Sequence, residues 1–308
     1  MQRLKEIDDV LHPFGDLDLL YYYSLVAREL QGFLKGRELA TKIRLPGKLP
    51  TVVRRGSQLQ PLYIKDLLKV DESFLRLRVG NHLKDMKSQL TYKQILLWEY
   101  FFPRKMMDFL YACNHERSGN QIERIFIDID RGSQVSAEDA RIVTLHLSKV
   151  IREDLAFNRL VTYKPFFLWT GASFHLYLML KRPLPGDFYE QYFSYNPEHG
   201  ESHHLSHHHN FTLHSWAKKV TQNTGIYVDA GHEKLEDSVV LDASGTPSGK
   251  LARVPFSLHV VDSQVYDGIT VPISERQLRK KGVTKELQKL TPELVLKNLK
   301  KYVRLLVE

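Results

Sequence analysis

The segment Arg124-Ile125-Phe126-Ile127-Asp128-Ile129-Asp130 constrains the chain most. Its apolar run is short and rich in β-branched residues, which predicts a buried strand. Strand side chains alternate faces, so Asp128 and Asp130 fall on one face at the strand's end. Two carboxylates held side by side repel each other and are costly without a cation. A hard divalent ion is the natural partner, because Mg²⁺ takes one or two carboxylates and completes its shell with water and phosphate oxygens. The other reading of D-x-D is a solvated strand end facing a loop, since so short a motif is common.

The flanking pattern predicts an α+β fold. Ser136 can cap a helix running to about residue 158, with Glu138 and Asp139 favourable in its first turn. Residues 160–169 and 173–180 read as strands around a turn at Thr170 and Gly171. Residues 239–241 and 251–260 read as two more strands, and residues 212–223 as a helix closed by Gly225. Strand, helix, hairpin and later strands predict a sheet with helices on one face. Earlier, residues 17–34 carry apolar residues at helical spacing and residues 92–112 read as a second long helix. The proline-glycine run 45–50 breaks structure. Residues 291–307 read as a basic amphipathic helix, and the chain stops inside it, as a piece of a longer protein would.

Two further motifs bear chemistry. In Thr170-Gly171-Ala172-Ser173-Phe174-His175, the side chains of Ser173 and His175 share a strand face. Gly171 lets a ligand approach the backbone, and a hydroxyl, an imidazole and turn amides suit a phosphate tail. The alternative is a satisfied core histidine in a hairpin. No nucleophile elbow is present, because His175 stands where G-x-S-x-G needs its second glycine. The other motif is Val240-Leu241-Asp242 followed by Arg253-Val254-Pro255-Phe256-Ser257-Leu258-His259. Asp242 ends an apolar run as Asp130 does. Arg253, Ser257 and His259 line one face if their strand is regular, and arginine forks onto phosphate oxygens. Pro255 places that strand at an edge or a bulge. The stretch 245–251 lacks the spacing of a phosphate-binding P-loop and its Ser/Thr after lysine.

Together, and in this order, the three motifs resemble those of the archaeo-eukaryotic primase superfamily over about residues 122–261. The resemblance implies a catalytic core with an RRM-like antiparallel sheet, a second αβ unit and flanking helices. It divides the chain into a mostly helical or αβ part at 1–115, a core at 116–265 with a His-rich insertion at 186–210, and a basic helical segment at 266–308. It implies primer synthesis or extension on a single-stranded DNA template from NTPs or dNTPs, with two Mg²⁺ or Mn²⁺ ions. Asp128, Asp130 and Asp242 would hold the metals. Gly171, Ser173, His175, Ser257 and His259 would contact the nucleotide, with Arg253 near the phosphates or template. A helicase or primase accessory subunit is an implied partner. The family's second motif often has basic residues before its histidine, where Ala172 and Ser173 stand here, so Lys164 or Arg159 is the candidate substitute. Asp229 competes with Asp242 as third carboxylate.

Charge and cysteine count add limits. Of the net charge of +8, residues 276–304 hold ten basic and two acidic residues, and residues 35–55 hold seven basic residues against Glu38. These basic segments suit a polyanion, and they name Lys35, Arg37, Arg54, Arg55, Lys280 and Lys281 as candidate DNA contacts. The lone Cys113 excludes an internal disulfide or a Cys-pair zinc site and fits a reducing compartment. The start carries no apolar leader and no apolar run reaches membrane-spanning length, so a cytoplasmic protein is expected, at the nucleoid or in a nucleus. His199, His203, His204, His207, His208, His209 and His214 form a cluster. His203, His204, His207 and His208 could hold Zn²⁺, or the cluster is a polar loop. Two other functions stay open. One is another D-x-D enzyme, such as a nucleotide-sugar glycosyltransferase; the aspartyl-phosphate phosphatases want D-x-D-G-T, whereas Arg131-Gly132 follows here. The other is a silent nucleic-acid-binding module that stacks bases on Tyr21, Tyr22 and Tyr23.

Overall fold

A computed structural model describes residues 9–45, 51–52, 61–117, 119–193, 213–233 and 235–307. Arg54, Arg55 and the histidines His199, His203, His204, His207, His208 and His209 lie outside the described residues. In chain order the strands are β1 (Glu38–Ile43), β2 (Thr51–Val52), β3 (Leu62–Tyr63), β4 (Met107–Ala112), β5 (Ile122–Arg131), β6 (Tyr163–Trp169) and β7 (Phe174–Leu184). There follow β8 (Val228–Ala230), β9 (Val239–Asp242), β10 (Leu251–Arg253), β11 (Leu258–Val260), β12 (Tyr266–Ile269) and β13 (Val271–Ile273). The fold is mixed α+β and forms two compact units, each assembled from separate stretches of chain. Consecutive segments such as 1–115, 116–265 and 266–308 do not express that interleaving.

The first unit comprises Met1–Ala112, Arg253–Val271 and Lys289–Glu308. Its helix Leu19–Leu30 is capped by Asp18, whose carboxylate accepts from the Leu20 amide. Arg78 grips the same carboxylate through Nε at 2.6 Å and Nη2 at 2.9 Å, and both residues are buried. Removing one partner of such a pair leaves an uncompensated buried charge, which is strongly destabilising. Tyr21, Tyr22 and Tyr23 are buried in this helix, so they are not a base-stacking platform. Instead the Tyr22 hydroxyl donates to the Phe256 carbonyl at 3.0 Å, and the Tyr23 hydroxyl accepts from the Leu258 amide at 3.2 Å. The long helix expected over 92–112 is a helix at Tyr92–Tyr100 followed by β4. Pro103 and the left-handed Arg104 break the run, and buried Met107–Ala112 pairs antiparallel with β1. The strand order in this sheet is β4-β1-β2, with β3 also on β1.

Residues 251–260 are not one strand. β10 and β11 are separated at 254–257, where Phe256 takes a left-handed φ of 71°. Arg253, Ser257 and His259 therefore do not share a regular strand face. The expected C-terminal helix is likewise two, Pro292–Lys297 and Leu299–Val307.

The second unit comprises Cys113–Ala252 and Pro272–Gln288. Its six-stranded sheet has the order β13-β6-β7-β5-β9-β8, with β5 central between β7 and β9. The pairs β6/β7, β7/β5 and β5/β9 are antiparallel, and β8 is parallel to β9. The helix Ala137–Glu153 begins with the Ser136/Asp139 capping box and rests on β5 and β7. It stops before residue 158 because Asp154 caps a new helix, Leu155–Leu160. The helix Leu213–Thr224 packs on Ala137–Glu153 and is closed by Gly225 at φ +70°. Among the described residues no helix is long and apolar enough to cross a membrane.

Gly132, just beyond β5, leaves no room for a side chain. Its amide donates to the Ser238 carbonyl at 2.8 Å, and a Cβ there would lie 2.1 Å from the Leu235 carbonyl oxygen and 2.2 Å from that of Glu236. The obstacle is backbone, so it cannot rotate away. Gly132→Ala is expected to destabilise the protein by about 1–3 kcal/mol, the usual cost of overpacking, read as a lower urea midpoint. An unchanged midpoint contradicts the close approach.

Candidate active site

The D-x-D strand is central in the sheet of the second unit. Asp128 pairs with His175 of β7 on one side and with Asp242 of β9 on the other. Directly opposed residues in antiparallel strands share a face, with Cβ atoms about 4.5–5.5 Å apart. His175, Asp128 and Asp242 thus form one row across three strands. Asp130 follows on the same face, opposite Val240, and Asp229 of β8 pairs with that same Val240. Asp229 therefore joins the carboxylate face one strand further out, and it is Asp242 that stands directly beside Asp128.

Each group in the row is held from below or beside. His175 is buried, its Nε2 lies 3.3 Å from Asp128 Oδ1, and its ring meets Phe126 edge-on at 4.9 Å. Asp128 keeps 31% of its side chain exposed. Asp242 Oδ1 accepts from the Ser244 amide at 2.7 Å, the Ser244 hydroxyl lies 3.0 Å from Oδ2, and His232 Nδ1 lies 3.0 Å from Oδ1. Such contacts fix a carboxylate's direction before any ligand arrives. Thr246 holds the Phe126 backbone from both sides, its Oγ1 accepting from the amide and donating to the carbonyl at 3.0 Å each. His232, Ser244 and Thr246 have no sequence signal beyond their nearness to Asp242.

The turn between β6 and β7 is built mostly from its own atoms. Gly171 has φ +102°, which a side chain would strain. The Thr170 amide donates to the Ser173 carbonyl and the Ser173 amide to Thr170 Oγ1. Ser173 is buried and its hydroxyl donates to the Ile129 carbonyl, so this hydroxyl braces β5.

The R-V-P-F-S-L-H stretch lies in the first unit. The Arg253 guanidinium pairs with the carboxylate of buried Asp108 and donates to the Leu258 carbonyl at 2.9 Å. Asp108 also accepts from the Val260 amide at 3.1 Å. Ser257 is fully buried, accepting from the Phe109 amide at 2.9 Å and donating to the Leu258 carbonyl at 3.1 Å. Ser257 thus secures this loop and presents no hydroxyl to solvent. His259 contacts Asp267 through Nδ1. Asp108 was not legible in the sequence, because a single acid in an apolar strand has no spacing to mark it.

Among the described residues no three His, Cys, Asp or Glu side chains gather into a ready metal cage. The row still fits a hard cation, because such an ion needs only one or two protein carboxylates when water and phosphate complete its shell. Of the basic candidates, Lys35 is exposed but Arg37 is buried, so Arg37 is not a surface DNA contact. Lys280 and Lys281 are exposed, with Lys280 paired to Glu286 at 2.5 Å.

Among solved structures, the chain is similar to the polymerase domain from Mycobacterium tuberculosis Ligase D in complex with DNA. The TM-score is 0.55 at 16% identity, over 100% of this chain and 99% of that one. The two share a fold. That likeness agrees with the α+β fold expected from the motifs. No protein-family model and no curated protein matches the chain.

The pH response of His259 follows from its surroundings. Burial, then the nearby Arg253 guanidinium, hold its imidazole below the ordinary value, against the opposing pull of Asp267. Unfolding frees the ring to protonate. The stability tied to neutral His259 is therefore complete above the unfolded value of about 6.5 and is lost as pH falls below it. The margin in melting temperature of wild type over His259→Gln is expected to shrink from about pH 7.5 to about 5.5. A margin that grows on acidification contradicts this.

Proposed function

We propose that the chain is a template-directed nucleotidyltransferase of the primase-polymerase kind, which makes or extends primers on single-stranded DNA. The observation that carries this is the row His175–Asp128–Asp242 on a central strand, in a fold shared with a DNA polymerase domain. The succession β5, two helices, β6, β7, two helices, β8 and β9, with β6-β7-β5-β9 as neighbours, supports the RRM-like reading of the sheet, to which β8 is added at the edge.

Asp128 and Asp242 would hold Mg²⁺ or Mn²⁺, with Asp130 beside them. Two such ions, when bound, stabilise the attacking and leaving oxygens of an in-line displacement. The chain's own groups do the positioning. Ser244 and His232 aim Asp242. Phe126 supports the His175 ring beside Asp128, where an imidazole can hydrogen-bond a phosphate oxygen. Gly171 leaves the backbone open to the nucleotide's phosphates. The motif resemblance also assigns nucleotide contacts to His259 and Arg253. The exposed bases of residues 276–304, Lys280 and Lys281 among them, and Lys35 suit the DNA backbone. His203, His204, His207 and His208 keep their proposed zinc role, and a helicase or accessory subunit its role as partner, inside the cell.

The test is synthesis on an unprimed and a primed single-stranded template, with NTPs or dNTPs and Mg²⁺ or Mn²⁺. Wild type is expected to give template-dependent product. Asp128→Asn, which keeps shape but removes a ligand charge, is expected to lower the rate about a hundredfold or more. Full activity in that variant, or turnover of a nucleotide-sugar without template, contradicts the reading.

A further inference from the structure

Arg131 ends β5 directly after the paired aspartates, at a position that alternates onto the face of Ile129 rather than theirs, and is half-buried. Its Nε donates to the Ala172 carbonyl at 2.7 Å and its Nη1 to the Val135 carbonyl at 2.9 Å. Both acceptors are neutral, and the guanidinium makes no ion pair among the described residues. An arginine is always charged, and two carbonyl bonds leave its other N–H groups available. A cation fixed in place but not neutralised is therefore held against the Gly171 turn. The amides of Gly171 and Ala172 donate to no protein acceptor among the described residues. Amides of a left-handed turn beside a guanidinium make an anion-binding concavity.

The other bases considered for this turn are too far. Lys164 pairs with Met179 near the opposite end of the β6/β7 ladder, six residues before Thr170. At about 3.3 Å per residue that is roughly 20 Å along the strand. Arg159 lies before β6 begins, in the helix Leu155–Leu160. The Ser173 hydroxyl is already bonded to Ile129.

We propose that Arg131, with the Gly171 and Ala172 amides, forms the site for a phosphate of the nucleotide. This rests on the nucleotidyltransferase reading above. Arg131 has two linked tasks. Its bond to the Ala172 carbonyl sets the turn, and its free N–H groups meet the anion. A second cation at the turn is unnecessary, which accounts for the uncharged Ala172 and Ser173 before His175.

The experiment measures binding without synthesis. Titration calorimetry with dGTP and Mg²⁺, and separately with deoxyguanosine, is run on wild type, Arg131→Gln and Arg131→Lys at several salt concentrations, beside thermal melts. Loss of one charge-assisted contact is expected to raise the dGTP Kd of Arg131→Gln about tenfold. Its deoxyguanosine affinity should not change and its salt dependence should be shallower, with lysine recovering part of the loss. A lowered melting temperature with unchanged dGTP affinity and salt slope makes Arg131 a structural tie only and overturns the proposal. Should Arg131→Gln not fold, wild type decides through phenylglyoxal labelling read by peptide mass spectrometry. Protection of Arg131 by dGTP but not by deoxyguanosine supports the site, and equal labelling overturns it. Wild type that binds no dGTP overturns the nucleotide reading itself, a failure distinct from wild type that binds dGTP with Arg131 uninvolved.

Discussion

Asp128 lies directly across from Asp242 in the middle of a sheet. Like charges opposed on adjacent strands destabilise the pair, and burying them raises the cost. A strand chosen only for stability would place apolar or β-branched residues there. The rest of the second unit supports this unfavourable pair. Ile127, Ile129 and Leu241 are buried, and Ala137–Glu153 rests on β5 and β7. Side chains alternate, so filling one face with these apolar groups obliges the carboxylates onto the other.

The surroundings hold the charges rather than removing them. Asp242 is fixed by an Asx-type turn through Ser244 and by His232, while a buried imidazole braced on Phe126 faces Asp128. Gly132 permits the 235–236 backbone to close against the end of β5. In the first unit a different device is used. There Arg253 is neutralised by Asp108, and the Tyr22 and Tyr23 hydroxyls secure the loop around Phe256. Charges there are matched within the unit, whereas the carboxylate row collects one sign.

The sequence made the central strand, the Ser136 cap, the hairpin and the shared face of Asp128 and Asp130 legible. Those follow from period-two alternation and capping chemistry, which act over a few residues. The pairing of Asp128 with Asp242 follows from tertiary register, and only the motif order hinted at it. Residues 92–112 misled because aromatic-rich apolar runs suit helix and strand alike, and Pro103 alone marked the change. The tyrosine triplet misled because composition does not say which way a helix faces. Ser257 read as a ligand contact, yet it is engaged by the Phe109 amide, and the pairing of Arg253 with Asp108 was equally hidden, because both partners are far away in sequence. Arg131 went unread as an anion contact for the same reason, since its relation to Ala172 exists only once β5 meets the hairpin.

The central claim is that the row is kept, against its own repulsion, for a divalent cation. Melting temperatures of wild type and Asp128→Asn, each with and without Mn²⁺, test it most directly. The account predicts that the variant melts higher than wild type without metal, and that Mn²⁺ raises only the wild type. A variant that melts lower without metal, with an equal Mn²⁺ response in both proteins, would contradict it.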